Sequence, residues 1–129
     1  MYRITEKEIM DYVKFVTMAL RMEPVEIKVD NDNVLESWNN CASVKEIIRL
    51  KYLLIRNPEE INSKEKIKNM FYEVAYYLRR ACQVDDGRNV LPQNQHEDGM
   101  KFAEECVKLY FYEEDFKEFK KINHQFIYL

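Results

Sequence analysis

Apolar residues recur at helical spacing from Ile9 through Val13 and Val16 to Leu20. Thr5 and Glu8 stand three residues apart at the head of that run, the arrangement of a capping box, and Ile4 and Ile9 occupy the positions of a hydrophobic staple. Pro24 disfavours helical geometry in the residue before it, so the helix is expected to stop near Arg21 or Met22. Val25, Ile27 and Val29 then alternate with Glu26 and Lys28, the period of a half-buried strand, and the run Asp30-Asn31-Asp32-Asn33 supplies turn chemistry.

Between Val34 and Ile55 two patterns compete. Ser43 and Glu46 offer a second capping box, whereas Ile47, Ile48, Leu50, Leu53 and Leu54 form a strand-compatible apolar run, and the reading leans toward strands. Asn62 with Glu65 can cap a further helix, in which Ile67, Met70, Phe71, Val74, Leu78, Ala81 and Cys82 trace one apolar stripe to Gln83. Asp85-Asp86-Gly87 ends it, and the polar segment through Pro92 to Gly99 reads as a surface connection of about a dozen residues. A last helical region carries Phe102, Ala103, Cys106, Val107 and Tyr110. It is followed by the charged stretch Glu113 to Lys121 and an apolar tail, Phe126 to Leu129, expected to pack back on the core. With no repeat and no linker, residues 1–129 form one domain. The class is α+β: an N-terminal helix, a small antiparallel sheet, a central amphipathic helix and C-terminal helices.

Composition narrows the function classes. Apolar residues make up 47% and aromatics 13%, with 2 Gly and 3 Pro, which disfavours both disorder and turn-rich all-β folds. The 20 basic residues are interleaved with 23 acidic ones at a net charge of -3. The basic clusters Arg79-Arg80 and Lys117 to Lys121 lie beside carboxylates, so nucleic acid is not the expected partner. Cys41, Cys82 and Cys106 are an odd set without CxxC spacing, and no signal peptide precedes the first element, which points to free thiols in a reducing cytoplasm. Runs such as Tyr52 to Ile55 fall far short of the ~20 residues of a membrane span.

The segment Val74-Ala75-Tyr76-Tyr77-Leu78-Arg79-Arg80-Ala81-Cys82-Gln83 resembles the active-site helix of small HExxH metallopeptidase-like proteins of phages and mobile elements, which often reads LAHELRHAYQ. Leu78, Arg79, Ala81 and Gln83 stay in register. Downstream, Asp98-Gly99-Met100-Lys101-Phe102-Ala103 is similar to that family's EIDAYAFA segment. The resemblance implies a minimal zincin-like scaffold, covering roughly Val25 to Tyr110 in layout. In the active family two histidines hold zinc and the glutamate between them serves as the base. Here those positions hold Tyr76, Arg80 and Tyr77. Arginine stays protonated, neutral tyrosine is a poor zinc ligand, and tyrosine is no substitute for a carboxylate base near neutral pH. Peptidase chemistry is therefore not expected, nor is a bound metal or cofactor.

The leading expectation is a non-catalytic domain that binds a protein partner, with Arg80 stacked on Tyr76 and paired with Asp98 or Glu97 of the next helix. Tyr76 and Arg80 would equally serve as the solvated flank of an amphipathic helix. Candidate binding residues are Tyr76, Tyr77, Arg79, Arg80 and Asp98, joined by Tyr110 and Tyr112 as aromatic anchors beside the acidic Glu113-Glu114-Asp115. Inhibition of a host or defence protein is the version that the family's usual setting suggests. Two alternatives stand beside it. One is a metal-dependent hydrolase built around His96, His124 and the acidic residues near Asp98, although the histidines and cysteines show no ligand spacing such as CxxC or HxxxH. The other is a self-associating domain whose aromatic and apolar tail forms a homodimer contact.

Overall fold

The computed structural model describes residues 3–37, 40–47, 50–85 and 92–110. Helix α1 (Glu6–Leu20) opens with the full capping box, Thr5 Oγ1 accepting from the Glu8 amide at 3.2 Å while Glu8 Oε1 accepts from the Thr5 amide at 3.1 Å. It closes where Arg21 turns left-handed (φ 54°), and the amides of Arg21 and Met22 fold back onto the carbonyls of Met18 and Thr17. Strand β1 (Glu26–Val29) alternates as its sequence does, with Glu26 and Lys28 exposed and Ile27 and Val29 turned inward. A four-residue helix, α2 (Val34–Ser37), comes next and was not foreseen. The buried Asp30 makes it, its two carboxylate oxygens accepting from the amides of Val34 (3.2 Å) and Leu35 (2.8 Å).

The ambiguous central segment forms strands, β2 (Ala42–Ile47) and β3 (Leu50–Ile55). The α+β class therefore holds, but the sheet is mixed and not wholly antiparallel. β3 lies in the middle, antiparallel to β2 (Ala42 opposite Ile55) and parallel to β1 (Val29 opposite Ile55). Leu53 and Ile55 turn to the core and are fully buried, while Leu54 on the opposite face is half-buried. On the outer face Lys28 Nζ lies 4.5 Å from the centre of the Tyr52 ring.

After a 3-10 turn at Pro58–Glu60, helix α3 (Lys64–Asp85) is capped by Ser63, whose Oγ accepts from the Lys66 amide at 3.2 Å, and not by Asn62. Helix α4 (Pro92–Tyr110) begins at a residue that the polarity of Gln93-Asn94-Gln95 had assigned to a loop. Proline in the first turn loses no intrahelical hydrogen bond, so Pro92 is compatible with the start of the helix. The whole Pro92 to Gly99 stretch, His96 included, is thus helical.

The core is the shared interior of α1, α3, α4 and the sheet. Ile9, Tyr12, Val16, Ile67, Met70, Phe71, Val74, Ala75, Leu78 and Ala103 have no exposed surface. Tyr12 joins the three long helices: its ring meets Phe71 edge-on at 4.2 Å and Tyr110 at 5.0 Å, and its hydroxyl donates to the Phe71 carbonyl at 2.9 Å. None of the helices among the described residues is long and apolar enough to cross a membrane. Tyr12→Phe removes the buried hydrogen bond and keeps the ring packing, so urea denaturation should show a loss of about 1 kcal/mol. A loss near zero would mean the hydroxyl contributes nothing to joining α1 to α3.

Candidate functional site

Helix α3 buries Phe71, Val74, Ala75 and Leu78, which leaves Tyr72, Glu73, Tyr76, Tyr77, Arg79 and Arg80 on the remaining arc, all half-buried. Helix α4 crosses along one edge of that arc and brings Gly99 against it. A β-carbon on Gly99 would stand 2.9 Å from Cδ2 and Cε2 of Tyr76 and 3.3 Å from Cδ of Arg80. The helices approach this closely only because residue 99 has no side chain.

Tyr76 is the hub. Its hydroxyl accepts from Arg80 Nη1 at 2.7 Å and lies 2.6 Å from His96 Nδ1. An arginine nitrogen only donates, so the phenol hydrogen stays available for Nδ1, which accepts it in the tautomer of neutral His96 that carries its proton on Nε2. The Tyr76 ring stacks with Tyr72 at 6.3 Å, meets Tyr77 edge-on at 5.1 Å and His96 at 5.5 Å, and carries the Arg80 guanidinium at 5.7 Å. The stacking of Arg80 on Tyr76 matches the sequence reading, but Asp98 is bonded by Arg79, whose Nε donates to Oδ2 at 2.7 Å. Both of those side chains keep substantial exposure, at 26% and 47%, so this ion pair is worth at most about 1 kcal/mol. Arg79 also rests near the Phe102 ring.

On the opposite edge of the arc lies a polar group that sequence reasoning missed. Glu73 Oε2 accepts from the amides of Cys41 (2.8 Å) and Ala42 (3.0 Å), capping the start of β2. Arg56, at 8% exposure, directs Nε and Nη2 at the Asn40 carbonyl (3.1 and 2.7 Å), and Tyr77 is hydrogen-bonded to the Asn40 side chain. Burial pushes the Glu73 carboxyl above its ordinary value of 4.5, against the pull of the two amides and of Arg56. A charged residue set between Phe71 and Val74 was the signal available in the sequence. Its partners, about thirty residues upstream, carried none.

The remaining candidates fall elsewhere. Tyr110 packs inward on Tyr12 and Phe15, at 5.0 and 4.9 Å, as part of the helix junction. Tyr112, His124 and the apolar tail lie outside the described residues. Among the described residues no three His, Cys, Asp or Glu side chains converge to hold a metal ion. Cys41 and Cys106 are buried in the core, and burial lifts both thiols, Cys106 to about 11, which disfavours the nucleophilic thiolate. Cys82 Sγ lies 3.6 Å from Met22 Sδ.

Comparison of the chain with family models, curated proteins and solved structures finds no match. The zincin-like resemblance accordingly rests on the residues quoted for it.

Two substitutions check this geometry. Gly99→Ala gains roughly 0.5–1 kcal/mol of helix propensity but drives a methyl into the Tyr76 ring, at a cost of about 1–3 kcal/mol. Net destabilisation by urea denaturation, with displaced Tyr76 and His96 ring resonances, is the expected result. For Glu73, a carboxyl whose folded-state value is raised binds protons more readily in the native chain than in the unfolded one, so its contribution to stability falls as pH rises above 4.5. Urea midpoints measured from pH 4 upward should decline less in Glu73→Gln than in the parent.

Proposed function

We propose that this chain is a non-catalytic protein-binding domain on a degenerate zincin-like scaffold, with the α3–α4 face as its contact surface. One observation carries the reading: the Tyr76 hydroxyl is bonded to both Arg80 and His96, in the place where the resembled family suspends a metal between its helix and a third ligand. Side chains that would have to release a ligand or a water for hydrolysis are instead tied to one another by hydrogen bonds and ring contacts.

The exposed chemistry of the face supports the same reading. Tyr72, Tyr76, Tyr77, Arg79 and Arg80 are half-buried and His96 is exposed, which gathers tyrosine and arginine, two of the residue types that dominate binding hot spots, within one patch. Their positions are fixed before any partner arrives, which lowers the entropy cost of association. The setting that the resemblance implies, a phage or mobile element, makes a host or defence protein the partner.

The test is affinity capture from the source cell with the parent chain and with Tyr72→Ala, Tyr77→Ala and His96→Ala, each first shown to keep its melting temperature. The expected outcome is one reproducible partner whose capture drops about tenfold or more in at least one variant, the scale of a hot-spot truncation. Undiminished capture by all three would move the contact surface off α3–α4. Stoichiometric zinc, lost together with a hydrolytic activity in His96→Ala, would replace the binding reading with an enzymatic one.

A further inference from the structure

We infer that the Arg80 guanidinium is the docking point for a carboxylate side chain of the partner, an inference that rests on the binding face proposed above. Among the described residues Arg80 has no carboxylate at ion-pair distance; its one hydrogen bond goes to the neutral Tyr76 hydroxyl. Its Nε is enclosed and meets no acceptor. Arg79, one residue earlier on the same helix, shows the contrast, with its Nε on Asp98. A half-buried cation held by a phenol alone has lost part of its hydration without gaining a counter-charge, so an incoming carboxylate meets a site already partly desolvated.

The surroundings leave that charge uncancelled. Glu73, the acid of the same helix face, has Oε2 engaged by the amides of Cys41 and Ala42 and lies beside Arg56, whose own donors go to the Asn40 carbonyl. Glu73 is thus engaged by the start of β2 and by Arg56, and gives Arg80 no counter-charge. The guanidinium is also held in place, by the Tyr76 hydroxyl on one side and by the close passage of Gly99 past its Cδ. With Nε enclosed and one Nη1 hydrogen on Tyr76, the Nη edge remains, and a planar carboxylate can bridge its donors in the fork geometry that arginine favours. Edge-on Tyr77 and His96 flank the point with ring surface, which suits a Glu or Asp followed by an apolar residue. A nucleic-acid backbone is the less suited anion, because phosphate tracking needs a stripe of cations and this is one fork.

The probe is the peptide acetyl-Glu-Leu-Glu-Leu-Glu-amide, titrated into the isotope-labelled full chain and followed by NMR at the arginine Nε–H and histidine ring signals. Controls are the Gln counterpart of the peptide and inorganic phosphate. The expected result is saturable displacement of the Arg80 and His96 signals by the acidic peptide, at least tenfold weaker with the Gln peptide or phosphate. Arg80→Gln and Arg80→Lys should weaken it to a similar degree, while Lys14→Gln on the exposed face of α1 leaves it unchanged. Equal response to the Gln peptide, to phosphate, or in Arg80→Gln overturns the inference, as does an Arg80 signal that never moves. The two readings fail separately. A partner captured equally by the parent and by Arg80→Gln, yet lost in Tyr77→Ala, removes the carboxylate anchor and leaves the binding face standing. Capture that ignores all of these variants removes the face itself.

Discussion

Everything in this fold depends on how α3 is buried. Its apolar arc has to satisfy the sheet, α1 and α4 at once, and Phe71 near its middle has both its ring and its carbonyl engaged by Tyr12. Once Ile67, Met70, Phe71, Val74, Ala75 and Leu78 face inward, the 3.6-residue period leaves no freedom for the rest. Tyr72, Tyr76 and Arg79 must lie toward α4 and Glu73 and Tyr77 toward the sheet, with Arg80 between. The candidate face is thus a by-product of core packing in its placement, and only its chemistry is free to vary.

That separation explains which features were legible in the sequence. The start of α1, the alternation of β1 and the stripe of α3 are local patterns, set by residues within one or two turns of each other, and each is found in the structure. The misread features are those in which a distant contact decides. β1 joins the sheet parallel because β3 enters between it and β2, a pairing that no property of residues 26–29 announces. Gly99 and the polar residues before it resembled a loop, yet the glycine lets two helices touch, and burial of Ala103 and Cys106 secures the helix to which it belongs. At the site, stacking between residues four apart on one helix was readable. Which of two adjacent arginines reaches Asp98 depends on the rotation of α3 about its axis, and the Glu73, Asn40 and Arg56 group depends on chain segments far apart.

The two edges of the α3 arc are built on different principles. Toward α4 the side chains are aromatic and cationic and bond to each other, so the face is defined by rings. Toward the sheet a half-buried carboxyl and a buried arginine bond to backbone amides and to a carbonyl, which fixes where β2 begins and β3 ends relative to the helix. The second edge is scaffold for the first. Tyr77 touches both, hydrogen-bonded to Asn40 on one side and edge-on to Tyr76 on the other.

The chain of donors through Tyr76 also has a direction. Arg80 donates to the phenol, and in the Nε2-protonated tautomer of His96 the phenol donates to Nδ1, so the last group in the sequence is the Nε2 hydrogen of an exposed imidazole. At that point the surface offers a hydrogen and accepts nothing. In the other tautomer only the final link reverses: Nδ1 is the donor, the phenol oxygen receives from both neighbours, and its own hydrogen is freed from the link. The exposed Nε2 would then be an acceptor in place of a donor, a change in polarity achieved without moving either helix.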